Sequence, residues 1–410
     1  MRNWIAFSLL LSLLAMPHAA LCEQTAPFFI VATDPHYISP ELTDNGPYFM
    51  RMVESADGKV TRYCDALTDA FVDEVIAQQP GCLILSGDLT FNGARKSHED
   101  LAQKLARVHA AGIPVLVMPG NHDLNMRISA SFSGESYTIV PSVTAAEFAE
   151  IYHDFGFAQA ISRDTHSLSY IAEPVPGVCV LMLDVNTPGA PCAVAAPTFA
   201  WLDAQLPLLR AAGKKIIAVS HQNMFAHSDL LSKGFVIQNV QRLLSLYIRN
   251  GVAVNLSGHM HLQHIKRSLS GFPEIATSSL CVSPCQYGVI ELRGDQAAYH
   301  TESVDVSAWA ARTGQTDENL LNFAQYAADF FTATSLRQAD PQQHTDPAER
   351  VRALWLSQLN AAYFSGRMDT VDAGSEHARH FLKSDAFLGM YVESMLSEPP
   401  RDHTQLTFPF

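Results

Sequence analysis

The sequence is poor in positive charge for its size. Among 410 residues, Lys and Arg number 27 against 41 Asp and Glu, which gives a formal net charge of −14. No run of basic residues interrupts this deficit. A protein that binds duplex nucleic acid needs a cationic surface to neutralise phosphates, so we expect no nucleic acid duplex as a partner. The expected substrate is small, or is held by metal ions that supply the missing positive charge.

Several familiar catalytic motifs are absent as well. The chain has no C-x-x-C pair, which argues against a zinc site built from thiolates. It also lacks G-x-S-x-G, a P-loop lysine motif and G-x-G-x-x-G. Nothing in the sequence therefore favours serine-hydrolase, P-loop or dinucleotide chemistry.

The sequence contains few cysteines, and both disulfide bonds and free thiols are compatible with their positions. The chain has seven cysteines, and loss of Cys22 with a leader would leave six, at positions 64, 82, 179, 192, 281 and 285. An exported protein could pair them, and Cys281 and Cys285 are close enough in sequence for a local loop. The alternative is buried free thiols, which suits Cys82 and Cys179 best because both lie in apolar runs.

A long apolar run occurs only near the N-terminus. Trp4–Met16 is almost wholly apolar, and Ala20–Cys22 resembles a small-x-small cleavage site. This pattern predicts a signal peptide at residues 1–22, too short to span a bilayer comfortably. A lipidated Cys22 is less favoured because Leu21 is a poor residue before it. We expect an exported, soluble protein, periplasmic or secreted, with no integral membrane segment after cleavage.

The pattern of apolar and polar residues changes twice along the rest of the chain. Apolar runs typical of strands lie at 28–33, 82–86, 114–118, 178–183, 215–220 and 252–257, with amphipathic helical patterns between them. This alternation predicts an α/β fold with a largely parallel sheet. Closely spaced strands at 264–304 indicate a second, antiparallel sheet packed on the first. From about Ser307 the pattern is helical and aromatic. We expect a catalytic domain at 23–305 and a helical C-terminal domain at 306–410.

Five of the predicted strands run into polar side chains at their carboxyl ends. Each set follows an apolar run, and three sets contain a glycine that allows a sharp turn. The residues are Asp34, His36, Asp88, Asn121, His221, His259 and His261. Because ligands bind beyond the carboxyl ends of strands in open α/β sheets, we expect all five sets to converge.

Imidazole together with carboxylate and amide oxygens suits transition metals such as Mn, Fe or Zn. Seven ligands are too many for one tetrahedral ion, but they suit two ions that share a carboxylate. Each motif alone is weak, because a single His after a strand is usually structural. Five motifs in this order are hard to reproduce by chance, so we predict two divalent transition-metal ions as cofactors.

The series D-x-H, G-D, G-N-H-D, H and G-H-x-H resembles the calcineurin-like metallophosphoesterase superfamily over roughly residues 27–300. The resemblance implies a four-layer α-β-β-α fold. It implies that Asp34, His36 and His261 hold the first metal. It assigns Asn121, His221 and His259 to the second metal, with Asp88 as the bridge.

The resemblance also implies catalytic roles for the remaining two residues of G-N-H-D. His122 is similar to the family's general acid or charge stabiliser near the leaving oxygen, and Asp123 would orient its ring. The implied reaction is in-line attack on phosphorus by a hydroxide that bridges two cations.

Within the superfamily, the motifs differ from those of the protein phosphatases, because G-D-L-T and G-N-H-D replace G-D-x-V-D-R-G and G-N-H-E. D-x-H argues against purple acid phosphatases. The sequence around these motifs is most similar to that of class III cyclic nucleotide phosphodiesterases and related exported bacterial enzymes. We expect a phosphodiesterase acting on cyclic nucleotides or similar small diesters. The alternatives are a phosphomonoesterase or nucleotidase with the same metals, and a non-catalytic metal-site scaffold.

Segments between the motifs are expected to carry specificity. Residues 125–143 should lie at the rim of the site, and residues 222–235 follow His221. Asn92 and His264 could touch substrate, although a purely structural role is the favoured interpretation. The aromatic residues of the C-terminal region recur at helical spacing and are expected to form a core rather than a stacking platform.

Overall fold

The computed structural model describes residues 26–339, 346–383 and 386–410. The predicted signal peptide at 1–22, including Cys22, lies outside the described residues. None of the described helices is long and apolar enough to cross a membrane.

Strands and helices alternate along the chain, as the sequence predicts. The first strands are β1 (Phe28–Ala32), β2 (Cys82–Leu85), β3 (Val115–Val117), β4 (Ala130–Ser133), β5 (Ser136–Ile139), β6 (Ala160–Arg163), β7 (Tyr170–Val175) and β8 (Val178–Leu183). The others are β9 (Asn186–Thr187), β10 (Ala190–Pro191), β11 (Lys215–Ser220), β12 (Val252–Ser257), β13 (His264–Arg267), β14 (Pro273–Ala276), β15 (Gln286–Arg293), β16 (Gln296–Ser303) and β17 (Gln405–Pro409).

The α-helices lie between these strands and then dominate the C-terminal region. Those before the last sheet strands are α1 (Pro47–Glu54), α2 (Cys64–Gln78), α3 (Arg95–Ala110), α4 (Ala145–Ile151), α5 (Ala196–Ala211) and α6 (Val240–Asn250). The C-terminal helices are α7 (Val306–Arg312), α8 (Glu318–Leu321), α9 (Phe323–Ala339), α10 (Pro347–Ser365), α11 (Glu376–Phe381) and α12 (Phe387–Leu396). Short 3-10 turns lie at Pro40–Leu42, Thr61–Tyr63 and Met368–Thr370, and a kinked turn lies at His153–Phe157.

The strands form two large mixed sheets. The first has the order β17-β16-β15-β1-β2-β3, with β1, β2 and β3 parallel and the other three strands antiparallel. The second has the order β13-β14-β12-β11-β8-β7-β6, and its four central strands are parallel.

This topology corrects the predicted division into one parallel and one antiparallel sheet. The six early strands are shared equally, three to each sheet, and the later strands extend both sheets. Strand β17 was not predicted either, because residues 306–410 read as helical throughout. A run of buried apolar residues identifies a strand but not its neighbour, because partner choice depends on contacts that are distant in sequence.

The two sheets pack face to face with helices outside them, which confirms the predicted fold class. Along β8, Val180 and Met182 belong to the core between the sheets, while Cys179 and Leu181 pack with α5 and α6 on the other face. This alternation is the period of two expected of a strand covered on both sides. On the first sheet, the ring of Phe71 in α2 lies 5.3 Å from Tyr287 of β15.

The cysteines of the described chain correspond to the free-thiol alternative. Cys64, Cys82, Cys179, Cys192, Cys281 and Cys285 are all buried, and none of them is in a disulfide. Burial raises the pKa of the Cys82 thiol, which keeps it protonated and unreactive.

The C-terminal helices pack against the loop that contains G-H-x-H. Leu356, Tyr363 and Val392 form a buried cluster together with Met260 and Leu262, which alternate along the chain with His259 and His261. The predicted core role of the aromatic residues in this region is therefore confirmed for Tyr363. The C-terminal helices cover one side of the loop and thereby restrict its position.

A group of buried histidines lies at the same junction. Nδ1 of His227 lies 2.9 Å from Nδ1 of His264, and the rings of His264 and His403 stack with centroids 3.9 Å apart. Nδ1 of His403 accepts a hydrogen bond from the backbone N–H of Ile265 at 3.0 Å. Burial and the nearby Arg401 lower the pKa of His403 to about 4. Burial, with His227 and His403, also holds the pKa of His264 well below its usual value.

These lowered pKa values predict that the protein loses stability in mild acid. A histidine that is neutral when folded takes up a proton more readily when unfolded, so the unfolded state gains protons as the pH falls from about 6.5 to about 4. In His403→Gln, the free energy of unfolding should fall less steeply over this range. Urea unfolding at several pH values measures the slope, with exposed His380→Gln as the control. If the free energy of unfolding changes equally with pH in wild type and in His403→Gln, His403 is not one of the groups that take up a proton on unfolding.

Candidate metal centre

The two sheets supply different parts of one site. Asp34, His36, Asp88 and Asn121 follow β1, β2 and β3 of the first sheet. His221, His259 and His261 follow β11 and β12 of the second sheet. The carboxylates therefore come from one sheet and most imidazoles from the other, so the site exists only where the two sheets meet.

One group of donor atoms surrounds Asp34. Nε2 of His261 lies 3.3 Å from Oδ1 of Asp34, and Nε2 of His36 lies 3.7 Å from the same oxygen. The two Nε2 atoms are 2.9 Å apart. Asp34 and His36 are fully buried, and His261 is nearly so. These three residues form a compact N/N/O donor set.

A second group surrounds Asp88. Nε2 of His221 lies 3.3 Å from Oδ2 of Asp88 and 3.2 Å from Oδ1 of Asn121. The rings of His221 and His259 lie with centroids 5.0 Å apart, and donor atoms of Asp88, His221 and His259 all lie within 4.8 Å of one another. Asp88 Oδ2 is also 3.9 Å from Nε2 of His36. Asp88 thus lies between the two groups, where a bridging ligand would be.

The backbone at these residues is held in an unusual conformation. Five of the seven predicted ligands have a positive φ: Asp34, His36, Asp88, His259 and His261. Residues with a side chain avoid this left-handed region at a cost of about 1–2 kcal/mol each. Such conformations persist only where the surrounding structure determines them, and they concentrate at functional sites. Here they turn each side chain from the strand axis toward the shared centre.

Two glycines allow the loops to approach closely. A Cβ atom on Gly258 would lie 1.9 Å from Oγ1 of Thr33 and 2.5 Å from Oδ2 of Asp34. A Cβ atom on Gly120 would lie 2.2 Å from Oδ1 of Asp88. Any side chain at either position would displace a carboxylate of the site.

Hydrogen bonds orient the carboxylates of Asp34 and Asp88. Oδ2 of Asp34 accepts from Oγ1 of Thr33 at 2.6 Å and from the backbone N–H of His259 at 2.9 Å. Oδ1 of Asp88 accepts from the backbone N–H of His122 at 2.8 Å. In each case one carboxylate oxygen is fixed by the protein and the other faces the imidazoles.

The charges of the site are strongly coupled. Burial alone would raise the pKa of Asp34 and Asp88, but neighbouring imidazoles, chiefly that of His221, hold both values below the usual range. Burial lowers the pKa of His221, whereas Asp88 and Asp34 raise it to about 9. Burial and His221 lower the pKa of His259 to about 4. Asp34 and Asp88 are therefore ionised, and each buried carboxylate requires cationic partners nearby.

The donor set fits two divalent metal ions. Oδ1 of Asp34 is buried and accepts no hydrogen bond within the described part of the chain, although three imidazole nitrogens lie within 4.0 Å of it. An unsatisfied buried carboxylate oxygen is costly unless a cation or donor compensates it. Imidazole nitrogen and carboxylate oxygen are ligands that suit Mn, Fe and Zn.

His122 and Asp123 have different surroundings from each other. The imidazole of His122 is 42% exposed, and its Nε2 lies 4.0 Å from Oδ2 of Asp88. Asp123 is fully buried and accepts from the backbone N–H groups of Leu89, Thr90 and Gly120 at 2.8–3.0 Å. The contacts of Asp123 therefore tie the G-N-H-D loop to the G-D-L-T loop. Its orienting role toward the ring of His122 stays a prediction.

Sequence reasoning missed two residues that support the first donor group. Nδ1 of His261 lies 2.6 Å from Oδ2 of Asp57, and Oδ1 of Asp57 lies 3.1 Å from Nζ of Lys59. Burial raises the pKa of Asp57, but His261 and Lys59 hold it well below its usual value. Neither residue follows an apolar strand, so no signal of the type used for the ligands could identify them.

Gln222 lies in the segment 222–235 that the sequence analysis expects to carry specificity, and it contacts Asn121. Its Nε2 donates to Oδ1 of Asn121 at 3.3 Å and to Oδ1 of Asn186 at 3.0 Å. Nδ2 of Asn186 donates back to Oε1 of Gln222 at 2.8 Å. The reciprocal hydrogen bonds between Gln222 and Asn186, which follows β8, thereby fix the position of the Asn121 side chain.

The two residues proposed to touch substrate outside the motifs have structural contacts instead. Asn92 is buried, and its Nδ2 donates to the carbonyl of Ala130 at 3.0 Å. His264 is buried between His227 and His403. The favoured structural interpretation of both residues agrees with these contacts.

Comparison with known families agrees with this geometry. Residues 29–263 match the family of calcineurin-like phosphoesterases, which is more than half of the chain. Residues 305–402 match the C-terminal domain of cyclic nucleotide phosphodiesterase. The chain therefore belongs to the calcineurin-like phosphoesterases, and membership implies divalent metal ions at the site.

Solved structures show distant similarity. A dimetal phosphatase from Danio rerio is 15% identical, with 68% of this chain and 96% of that chain covered and a TM-score of 0.48. GAP50 of Plasmodium, described as the anchor in the inner membrane complex, is 11% identical, with 68% and 85% covered and a TM-score of 0.40. A predicted phosphoesterase from Streptococcus pneumoniae is 12% identical, with 68% and 90% covered and a TM-score of 0.30. No curated protein matches significantly.

The contact between Asp57 and His261 predicts a role in metal binding. A carboxylate on the far nitrogen of a metal-binding imidazole fixes its orientation and raises its basicity, and loss of such a partner typically lowers metal affinity about 10–100-fold. Asp57→Asn should weaken binding of one of two metal ions by this factor. Titration against a competing chelator measures it, with exposed Glu54→Gln as the control. Unchanged affinity for both ions would contradict the role.

Proposed function

We propose that the protein is a dinuclear-metal-dependent phosphodiesterase that hydrolyses small phosphodiesters, such as cyclic nucleotides. The observation that carries the proposal is the pair of donor groups, with Asp88 between them. The match of residues 305–402 to the C-terminal domain of cyclic nucleotide phosphodiesterase supports diesters over monoesters. The leader pattern at 1–22 supports action outside the cytoplasm, in a periplasm or in the medium.

The seven predicted ligands would hold two metal ions. Asp34, His36 and His261 would hold one ion, and Asn121, His221 and His259 the other, with Asp88 shared. When bound, two such ions lower the pKa of water and neutralise charge on the phosphoryl oxygens. A phosphodiester carries a single negative charge, so a site without a strong cationic side-chain clamp is compatible with it.

His122 would act on the leaving group. It is the predicted site residue whose imidazole reaches solvent while remaining beside Asp88, 4.0 Å from Oδ2. Its ring also lies edge-on to that of His36, with centroids 5.4 Å apart. From this position it can donate a proton to the departing oxygen, or stabilise charge on it, without being a metal ligand.

Metal-restored hydrolysis tests the reaction class. The protein is stripped with chelator and given Mn, Fe or Zn, and bis-p-nitrophenyl phosphate is compared with p-nitrophenyl phosphate. We expect restored activity that favours the diester, and we expect Asp88→Asn to abolish it while exposed Asp372→Asn does not. Activity confined to the monoester would indicate a phosphomonoesterase instead. Metal binding without turnover on either substrate would indicate a scaffold.

His122→Ala tests the role of the imidazole separately from the metals. General acid catalysis contributes about 10²–10⁴-fold, so kcat should fall by that factor while the metal content stays the same. His153→Ala removes an exposed imidazole elsewhere and should leave kcat unchanged. Normal turnover by His122→Ala would exclude the proposed role.

A further inference from the structure

The segment between β11 and α6 connects two ligands of the second donor group. It begins directly after His221, at the end of β11, and its far end returns to His259. The carbonyl oxygen of Gly234 lies 3.2 Å from Nε2 of His259, and the ring of Phe235 lies 4.7 Å from the same imidazole, centroid to centroid. Residues 222–236 therefore meet the metal centre at both ends.

The contact with Gly234 determines which nitrogen of His259 carries the hydrogen. A carbonyl oxygen can only accept a hydrogen bond, so Nε2 is the donor in this pair. In a neutral imidazole the other nitrogen, Nδ1, then has an unshared electron pair that can bind a metal ion. A carbonyl on the far nitrogen fixes the tautomer and the orientation of a metal-binding imidazole.

The first half of the segment is fixed to the second sheet by a buried carboxylate. Glu274 of β14 is fully buried, and its two oxygens accept from the backbone N–H groups of Met224 and Phe225, each at 2.7 Å. Nδ2 of Asn223 also donates to the carbonyl of Gly258 at 3.1 Å. These bonds place the start of the segment directly against the loop that contains G-H-x-H.

The C-terminal helices hold the middle of the segment. The hydroxyl of Tyr363 in α10 donates to the carbonyl of His227 at 2.5 Å. Oγ of Ser394 in α12 accepts from the backbone N–H of Asp229 at 3.0 Å and lies 3.1 Å from Oγ of Ser228. Tyr363 and Ser394 are both buried, so these hydrogen bonds are shielded from water.

Phe235 anchors the returning end of the segment. Its side chain is partly buried and packs on the apolar cluster that the C-terminal helices form with Met260 and Leu262. Residues 230–234, just before it, are exposed. Because the Gly234 carbonyl belongs to the peptide bond that precedes Phe235, the contacts of Phe235 determine the position of this carbonyl.

We propose that Phe235 is a positioning residue for the second metal ion. It fixes the Gly234 carbonyl against Nε2 of His259, and the C-terminal helices hold it there. Affinity for the ion at Asp88, His221 and His259 then depends on the C-terminal region. The first donor group should not depend on Phe235, because Asp57 holds its His261 instead. The inference concerns metal binding and is independent of which phosphoester the protein hydrolyses.

Phe235→Ala tests the positioning role. Loss of the partner on a metal-binding imidazole typically lowers metal affinity about 10–100-fold, so affinity for one of two Mn²⁺ ions should fall by this factor. Titration against a competing chelator measures it. Phe235→Leu, which keeps part of the apolar contact, should lose less, and Phe235→Tyr, which keeps the ring, should bind both ions normally. Unchanged affinity for both ions in Phe235→Ala and Phe235→Leu would overturn the proposal.

Phe364→Ala is the matched control for this effect. Phe364 is an aromatic residue that packs on the same cluster, but its ring lies against Phe331, with centroids 5.1 Å apart, rather than against a ligand. A general loosening of the cluster would affect both variants, whereas a positioning role is specific to Phe235. Equal losses of affinity in Phe364→Ala and Phe235→Ala would therefore overturn the assignment.

Combination with Asp57→Asn identifies the ion. If Phe235 and Asp57 support different ions, the double variant should bind both ions weakly, with each loss equal to that of the single variant. If the double variant still binds one ion as tightly as wild type does, both residues act on the same ion and the assignment of Phe235 to the second ion is wrong. Both results are read from metal affinity, so they do not require turnover.

Ser394→Ala tests the contribution of the C-terminal helices. Loss of the acceptor for the N–H of Asp229 removes one hydrogen bond, worth about fivefold, and should weaken the same ion as Phe235→Ala does. Ser397→Ala is the control, because its hydroxyl donates to the carbonyl of Ser394 at the end of α12. If Ser394→Ala binds both ions as Ser397→Ala does, the helices do not act on the second ion and that part of the proposal is wrong.

Discussion

Two buried carboxylates, Asp34 and Asp88, impose the main constraint on this structure. Moving a carboxylate from water into a protein interior costs several kcal/mol even after relaxation, unless cations and hydrogen-bond donors compensate it. The compensation comes from imidazoles on another sheet, from backbone N–H groups and, in the family, from metal ions. The requirement explains why loops from both sheets are drawn to one point.

The local backbone follows from the same requirement. Positive φ values at Asp34, His36 and Asp88 are unfavourable taken singly, yet they direct side chains to a centre that parallel strands alone could not surround. Gly120 and Gly258 complete the arrangement, since the carboxylates occupy the space where a side chain would be. Asp123 adds no ligand but joins two of these loops through three backbone N–H groups.

The C-terminal region contributes to the site through packing. Met260 and Leu262 are buried in the cluster of the C-terminal helices, while His259 and His261 between and beside them face the metal centre. The backbone N–H of Gln263 donates to the carbonyl of Phe364 at 3.0 Å, which ties the loop to α10. The loop that contains His259 and His261 is thus held in place by the C-terminal helices.

The sequence by itself determined the strands that lead to the site, the helices between them and the set of polar residues at the strand ends, because burial period and loop chemistry are local properties. The residues that the structure brings together as Asp34/His36/His261 and Asp88/His221/His259 were all identifiable from their position after apolar runs. Three features could not be predicted from the sequence: the sharing of strands between two sheets, the return of β17 to the first sheet and the contact of Asp57 with His261. These features depend on pairing and packing between segments far apart in the chain, and only the tertiary structure decides which of the compatible partners meet.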